Sequence, residues 1–377
     1  MSSATWSISK WIRRMMRLGC DIAKTTASAH TLAMQPADRY RQAGVDLDTA
    51  ERTKGRIRDA VASTYSSLTL GGFGGFGGMI RVPEDVSRPV LVMSTDGVGS
   101  KILVALQVGR YDTIGEDLVN HAVNDILVQG ATPLAFQDYI AGAQLEPEIV
   151  VSMVEGVCRA CRHHQISLLG GETAQLPDLY REGDYDLAGT IVGVVSEDTI
   201  LTGSDVEVGD LLVAYESNGL HTNGYTLARR IVFGDMGLNV DSEMPDMNAP
   251  VGELLLSVHR SYWQALAPVL AQLHGLSHVT GGGIAANLRR VMPDGCRAVV
   301  ECDKWPVPQL FRVLQAAGKV DEGEMFRVFN MGVGMIAAVP ERNLATVRSA
   351  ADRAGVTTWA VGRVEGGTGV DLVRDAR

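Results

Sequence analysis

The chain has 377 residues, a length that favours two domains of ordinary size. Its 46% hydrophobic and 21% charged residues are typical of a globular protein and disfavour disordered and fibrous classes. The 34 basic and 44 acidic side chains give a net charge of −10, which disfavours non-specific binding to nucleic acid. The 5 cysteines are too few for a disulfide framework, so we expect a reducing, cytoplasmic location.

Residues 1–39 differ from the remainder, with six Lys or Arg against two Asp and many Ser and Thr. This composition is typical of an organellar targeting segment. The alternative is that Met34 is the true start and that everything before it is an upstream-start artefact or a disordered tail. We therefore divide the chain into an extension at 1–39, an N-terminal domain at 40–204 and a C-terminal domain at 205–377.

The hydrophobic pattern predicts alternating helices and strands in both domains. In the first, we predict helices at 49–64, 113–130 and 147–164, with strands PVLVMSTD, FQDYIAG, ISLLGG and DLAGTIVGVV. The connector TGSDVEVGD separates these from the second set, which begins with the strand LLVAYES. The second set adds strands RAVVEC, GMIAAVP and WAVGRV and helices TLARRIVF, SYWQALAPVLAQL and LATVRSAADRAG. The predicted fold class is α+β, with two mixed α/β domains.

The first motif is the glycine-rich run GGFGGFGG, Gly71–Gly78. It contains a formal dinucleotide-binding spacing, but Pro83 follows too closely for the helix that this motif requires. We predict instead a flexible flap whose backbone amides cover phosphates, and a mobile linker is the alternative. The glycines expected at the nucleotide are Gly72, Gly74, Gly75 and Gly77.

The second motif is STDGVGSK, Ser94–Lys101, at the end of a predicted strand. A carboxylate, two glycines and a lysine at this spacing could hold a magnesium-bound polyphosphate. We expect Asp96 on the metal and Lys101 on phosphate oxygens, with catalytic roles for both. The alternative is an ordinary Asp-Gly turn.

The third motif is the helix IGEDLVNHAVNDILVQGA, in which Asp117, His121 and Asn124 share one face. Asp and Asn are poor helix formers, so this cluster lowers helix stability unless it has a compensating role such as binding metal or nucleotide. We therefore assign Asp117 and Asn124 to the cofactor site. A solvated helix face is the alternative.

The fourth motif is LLGGETA, which places Glu172 after two glycines at a strand end. Acidic residues on separate elements of one domain suggest that they converge on a divalent ion shared with nucleotide phosphate. The expected metal ligands are Asp96, Asn124, Asp125 and Glu172. Surface carboxylates without a common site are the alternative.

Two loops in the second half are candidates for binding substrate. SNGLHTNGYTLARR carries Asn218, His221 and Asn223, and a histidine in such a polar loop could be a general acid or base. HVTGGGIAANLRR places Gly281, Gly282 and Gly283 before a helix, where backbone amides could bind a phosphate. The alternatives are a surface histidine and a tight glycine turn.

These motifs, together with YRQAGVDLD and FNMGVGM, occur in the order found in the phosphoribosylformylglycinamidine cyclo-ligase (aminoimidazole ribonucleotide synthetase) family, which the chain resembles from about Tyr40 to Val364. The resemblance implies an enzyme of purine biosynthesis that catalyses the ATP-dependent ring closure of formylglycinamidine ribonucleotide. The resemblance further implies that this enzyme uses Mg²⁺ and often K⁺. It also implies a homodimer in which the N-terminal domains pair to form a β-barrel, with no membrane or nucleic-acid partner.

The chain departs from the family pattern at Ser100, where Thr is usual, and at Arg58, where Lys is common. Arg58 keeps the charge but puts any Lys-specific contact in doubt. Related families include selenophosphate synthetase, thiamine-monophosphate kinase and the hydrogenase maturation dehydratase. Selenophosphate synthetase needs a Cys or selenocysteine near the glycine-rich loop, and no Cys lies between Cys20 and Cys158. A catalytically silent nucleotide sensor is a further alternative, against which the intact acidic and lysine set argues.

Overall fold

The described chain, residues 45–374 of a computed structural model, contains two main β-sheets with helices packed against them. The extension at 1–39 lies outside these residues. The strands are β1 Thr69–Leu70, β2 Met79–Ile80, β3 Pro89–Gly97, β4 Thr132–Gly142, β5 Ser167–Gln175, β6 Tyr185–Ser196, β7 Leu211–Glu216, β8 Gly275–His278, β9 Cys296–Glu301, β10 Val333–Val339, β11 Thr358–Gly366 and β12 Gly369–Val373.

The helices confirm the mixed α and β composition that the sequence predicts. They are α1 Leu47–Ala62, α2 Ile102–Val108, α3 Asp112–Leu127, α4 Pro147–His163, α5 Tyr225–Arg229, α6 Val251–Leu255, α7 Trp263–Leu266, α8 Gly283–Leu288, α9 Gln309–Gly318, α10 Glu322–Val328 and α11 Leu344–Arg353. Within residues 45–374, no helix has both the length and the apolar character that a membrane span needs.

The first sheet has the strand order β3-β6-β4-β5, with β4 and β5 parallel and the other pairs antiparallel. Helix α3 packs on one face against β3 and β6, and α4 packs on α3. The opposite face of β3 is open, because Leu91 and Met93 are 54% and 64% exposed. Successive side chains of a strand point to opposite faces, so β3 has one covered and one uncovered side.

The second sheet has the order β12-β9-β11-β7-β10-β8. Strand β10 is buried along its whole length, consistent with a central strand whose two faces are both covered. The predicted helix SYWQALAPVLAQL is shorter than expected. Only α7 is α-helical, and 3₁₀ turns follow from Ala267 because Pro268 has no N–H to donate.

Helices α3 and α4 approach closely through two glycines. A Cβ on Gly156 would lie 1.9 Å from the Asp112 carbonyl oxygen, and one on Gly115 would lie 2.2 Å from the Met153 carbonyl oxygen. Both distances are far below van der Waals contact, so any side chain here would force the helices apart. This close packing fixes the position of α3, which carries several of the candidate site residues.

We expect Gly156→Ala to lower the free energy of unfolding by about 1–3 kcal/mol, because the added methyl group overpacks the contact with α3. Gly55→Ala is the matched control, since it lies in α1 with no atom within 4 Å of its Cβ position. The control should be neutral or stabilising by up to about 1 kcal/mol. Denaturant unfolding measures both, and equal stabilities of the two variants would contradict this packing.

Candidate active site between the two sheets

The polar face of α3 binds an irregular segment that precedes α7, here called the 257–262 segment. Asp117 Oδ1 accepts a hydrogen bond from the His259 amide at 2.6 Å, and Asn120 Nδ2 donates to the His259 carbonyl at 2.8 Å. The segment forms no regular helix or strand up to residue 262, so its backbone groups need partners from elsewhere. The helix supplies them.

Asn124 completes this set of backbone contacts. Its Nδ2 donates to the Arg260 carbonyl at 2.9 Å and its Oδ1 accepts from the Tyr262 amide at 2.9 Å. Neither Asn124 nor Asp117 has exposed surface. The expected contacts of these two residues with metal or nucleotide are therefore blocked in this structure, because their polar atoms are committed to the second half of the chain.

Lys101 is also fully buried. Its Nζ lies 2.8 Å from Asp117 and donates to the Ser257 carbonyl at 2.7 Å. Burial lowers the pKa of Lys101 and raises that of Asp117, and their mutual attraction opposes both changes. Lys101 was expected to contact phosphate, but here it neutralises a buried carboxylate and joins the two halves.

We expect Lys101→Met to destabilise the protein by about 3–5 kcal/mol, because Asp117 would be left buried without its cation. Arg56→Met is the control, since it removes an ion pair with Glu148 whose side chains are 46% and 76% exposed. Such a solvent-exposed pair contributes little to stability. Denaturant unfolding of both variants is the measurement, and a loss below 1 kcal/mol for Lys101→Met would refute the structural role.

Beside this contact, His121 lies between two carboxylates. Its Nε2 is 2.9 Å from Asp96 Oδ2 and 3.5 Å from Asp125 Oδ2, and its Nδ1 is 2.8 Å from the Thr222 hydroxyl. Burial alone would lower the pKa of His121, but the two carboxylates outweigh it and raise the pKa to about 9. His121 is therefore cationic at neutral pH.

The same contacts keep both carboxylates ionised. The hydrogen bond from His121 lowers the pKa of Asp96. Burial would raise the pKa of Asp125, but hydrogen bonds from His121 and His278 lower it well below its usual range. Asp125 also accepts from the Ser94 hydroxyl at 3.0 Å. The three charged groups together carry a net charge of −1.

Three further histidines extend this cluster. His278 Nδ1 lies 2.9 Å from Asp125 Oδ1, and His278 Nε2 lies 3.3 Å from His259 Nε2. His221 stacks on His259 with ring centroids 4.0 Å apart, and burial lowers the pKa of His221 well below its ordinary value. Sequence reasoning named His221 but missed the roles of His259 and His278, which no short-range spacing connects.

His221 was expected in a polar loop, with a surface histidine as the alternative, and the structure buries it. Only 2% of the residue is exposed, and its Nε2 is 3.1 Å from Asn218 Oδ1. Asn218 in turn donates to the Val258 carbonyl at 2.7 Å. His221 and Asn218 thus support the 257–262 segment from the side opposite α3.

The four expected metal ligands do not meet around one ion. In the first sheet Asp96 pairs with Gly189, Gly189 with Asp138, and Asp138 with Gly171, so these residues form one row. Glu172 belongs to the next row and therefore faces the other side. Strands β3 and β5 are three interstrand spacings apart, or about 14 Å, so Asp96 and Glu172 of one chain cannot share an ion.

The glycine-rich loop and Glu172 form a separate groove. Gly75, Gly77 and Glu172 line a cavity of 320 Å³ on the open face of the first sheet. Phe73, Gly74 and Gly75 line an adjoining cavity of 240 Å³, whose other walls include the apolar residues Ile57, Val61, Val154 and Leu168. Gly72 belongs to the same loop but lines neither cavity. An apolar compartment beside a glycine-lined polar one is suited to a nucleotide.

Asp138 borders both compartments. Burial raises the pKa of its carboxyl to about 7, so the carboxyl is partly protonated near neutral pH. Sequence reasoning did not single out this residue. The signal was available, because Asp138 lies within the otherwise apolar predicted strand FQDYIAG.

Of the three glycines expected to bind phosphate, Gly281 and Gly283 already have acceptors for their backbone amides. The Gly281 amide donates to Asn223 Oδ1 at 3.0 Å, and the Gly283 amide donates to the Thr280 carbonyl at 3.1 Å. Gly282 has a φ of +99°, and a Cβ on Gly283 would lie 1.8 Å from the Phe326 carbonyl oxygen. Backbone conformation and close packing therefore explain these glycines, and Asn223 holds their loop rather than an exposed ligand.

A cavity of 740 Å³ lies between the two sheets and adjoins the histidine cluster. Asp125 and His278 line it from one side, and β3 residues 90–94 form part of its wall. Thr202, Thr280, Asn287 and Arg290 also line it. Its volume falls within the range of small-molecule sites, about 300–1,000 Å³. This cavity with the adjoining cluster is the candidate active site.

Two family matches cover most of the chain. Residues 78–195 match the N-terminal domain and residues 207–375 the C-terminal domain of the AIR synthase related proteins. The fold agrees, since thiamine-monophosphate kinase from Stenotrophomonas maltophilia superimposes with a TM-score of 0.65 at 17% identity, covering 85% of this chain and 96% of that one. HypE of E. coli, a hydrogenase maturation protein, gives 0.60 at 16%, covering 86% and 93%. The chain is thus an AIR synthase related protein.

Sequence similarity narrows the class. The chain is 43% identical to phosphoribosylformylglycinamidine cyclo-ligase of Desulfatibacillum aliphaticivorans over 328 residues, 86% of this chain and 94% of that protein. It is 45% identical to the protein of the same name from Geobacter sulfurreducens over 305 residues, covering 80% and 88%. The chain belongs to the phosphoribosylformylglycinamidine cyclo-ligase family.

Proposed function

We propose that this chain catalyses the ATP-dependent ring closure of formylglycinamidine ribonucleotide to aminoimidazole ribonucleotide, a step of purine biosynthesis. The supporting observation is the pairing of two sites in one fold. A glycine-lined groove on the first sheet is suited to ATP, and the cavity between the sheets is suited to a nucleotide substrate beside buried carboxylates and imidazoles. The family relationship indicates which reaction these two sites catalyse together.

The chemistry requires activation of the formyl oxygen. ATP transfers its terminal phosphoryl group to that oxygen, with release of ADP, and a substrate nitrogen then attacks the activated carbon. The C–O bond breaks, phosphate leaves, and the nitrogen gives up a proton. In this scheme the Gly71–Gly78 loop covers the nucleotide and excludes water, which would otherwise hydrolyse the phosphorylated intermediate.

Mg²⁺ would neutralise the phosphate charge when bound. Carboxylate oxygens are its preferred protein ligands, and two sets fit that preference: Asp96 with Asp125, and Glu172 in the glycine-lined groove. Asp96 is the better candidate of the first pair, because its side chain is 52% exposed while that of Asp125 is 23% exposed. Asn124 is not part of this proposal. A requirement for K⁺ stays a prediction.

The cellular setting is also a proposal. Exposed Leu91 and Met93 on the open face of β3 support a homodimer formed through the first sheet, as the β-barrel pairing of the family would require. A reducing cytoplasmic location is supported by Cys158, Cys161, Cys296 and Cys302, which are free and buried.

The direct test is to incubate the protein with ATP, Mg²⁺ and formylglycinamidine ribonucleotide and to measure ADP together with the ring-closed product. We expect ADP and aminoimidazole ribonucleotide in equal amounts, and little ADP when the ribonucleotide is omitted. ADP release that does not depend on the ribonucleotide would contradict the proposal and favour a kinase or a nucleotide sensor.

Separate variants test the two carboxylate positions. We expect Asp96→Asn to lower kcat and Glu172→Gln to raise the KM for ATP, each on the order of 100-fold, because each removes a negatively charged oxygen ligand for Mg²⁺. Glu155→Gln, an exposed position on α4, is the control. Turnover of both site variants within twofold of the control would refute the assignment.

A further inference from the structure

The cavity between the sheets carries an unbalanced positive charge at one part of its wall. Within the described part of the chain, Arg290 is the one Arg or Lys among the residues that line it. No carboxylate of residues 45–374 forms an ion pair with Arg290, and its side chain makes no hydrogen bond to those residues. Asp125, the one carboxylate of the lining, is already bound by His121 and His278. Arg290 is therefore free to bind an anion.

The backbone around Arg290 is held firmly. It follows α8 in a 3₁₀ turn, and Asn287 on α8 donates to the Gly283 carbonyl at 2.8 Å and to the Thr280 carbonyl at 3.3 Å. Asn287 is 2% exposed. Because these bonds join the glycine loop, Thr280 and α8, the backbone from which the Arg290 side chain extends is fixed beside the cavity.

The neighbouring arginine provides a contrast. Arg289 does not line the cavity, and its Nη1 lies 3.6 Å from the Cβ position of Gly369, the first residue of strand β12. The two adjacent arginines therefore extend toward different surroundings. Only Arg290 can contact a molecule in the cavity.

Hydroxyl groups accompany the guanidinium in the lining. Thr202 and Thr280 come from separate segments of the chain. Thr202 belongs to the connector before β7, and Thr280 belongs to the loop after β8. Thr202 Oγ1 donates to Ser204 Oγ at 2.9 Å and Thr280 Oγ1 donates to Asn287 Oδ1 at 3.3 Å. Because a hydroxyl can rotate, each could exchange its present acceptor for a phosphate oxygen, while the guanidinium supplies the charge. The glycine loop offers less, because the amides of Gly281 and Gly283 already have acceptors and a backbone amide cannot rotate to a new one.

We propose that Arg290, with the hydroxyls of Thr202 and Thr280, binds the 5′-phosphate of the ribonucleotide substrate. This inference rests on the proposed function and adds the group that selects a phosphorylated substrate. With the phosphate at Arg290, the reacting end of the substrate extends toward Asp125 and His278 in the same cavity. A protein of net charge −10 needs such a local cation to bind a dianion.

The test compares Arg290→Ala, Arg290→Lys and the control Arg289→Ala in the full chain. For Arg290→Ala we expect the KM for formylglycinamidine ribonucleotide to rise on the order of 100-fold, while the KM for ATP and kcat at saturation stay within twofold. Arg290→Lys should recover part of the loss, because it keeps the charge without the planar fork. Arg289→Ala should match the unmodified protein.

The dephosphorylated substrate, formylglycinamidine ribonucleoside, separates a phosphate contact from a general disturbance. It should react poorly with the unmodified protein, and Arg290→Ala should handle it equally poorly. An unchanged KM for the ribonucleotide in Arg290→Ala, or an equal rise for ATP, would overturn the inference while turnover by the unmodified protein upholds the proposed function.

A binding measurement makes the two failures distinguishable. Calorimetric titration with ribose 5-phosphate needs no turnover, and we expect binding by the unmodified protein and by Arg289→Ala but not by Arg290→Ala. Equal binding by all three would overturn the phosphate site. Loss in Arg290→Ala alone would uphold it even if the unmodified protein fails to close the ring, in which case the proposed function is the part that fails.

Discussion

The structure depends on the burial of one carboxylate, that of Asp117. A charge without solvent is costly unless it is paired and hydrogen-bonded, and here Lys101 supplies the pairing while the His259 amide supplies a hydrogen bond. Both partners come from outside α3, and one belongs to the other half of the chain. The requirement to satisfy Asp117 therefore positions the 257–262 segment against α3.

The position of the candidate site groups follows from this contact. His121 and Asp125 lie one and two turns after Asp117 on the same helix, so the helix geometry that places Asp117 against the segment also directs these side chains toward His278. His259 belongs both to the clamped segment and to the histidine cluster. Assembly of the two halves and assembly of the candidate active site are thus one event.

Much of the fold could be predicted from the sequence, because the spacing of hydrophobic residues along the chain indicates which segments are helices and which are strands. The helices at 49–64, 113–130 and 147–164 are present with ends shifted by at most three residues. The polar face of α3 was also visible, since Asp and Asn in a helix interior need compensation. Its partner was not, because the backbone groups of residues 259–262 lie some 140 positions away in a stretch with no distinctive composition.

The site was less predictable for geometric reasons. Strand ends identified Asp96 and Glu172 as candidates, but the face on which each lies depends on the register between strands, which is hard to read from strand patterns taken one at a time. Glycines are equally ambiguous, because a phosphate-binding loop and a close backbone approach require the same residue. At Gly282 a positive φ, and at Gly283 the close approach of the Phe326 carbonyl, favour a structural reason for these glycines over a phosphate-binding one.

The most direct test of this account is hydrogen exchange at the amides of His259 and Tyr262 in the unmodified protein. Both amides lie in an irregular segment, yet each donates to a fully buried side-chain oxygen of α3. If the polar face of α3 holds the two halves together, these amides should exchange as slowly as those of the buried strand β10. Exchange within seconds, as in an ordinary surface loop, would contradict the account.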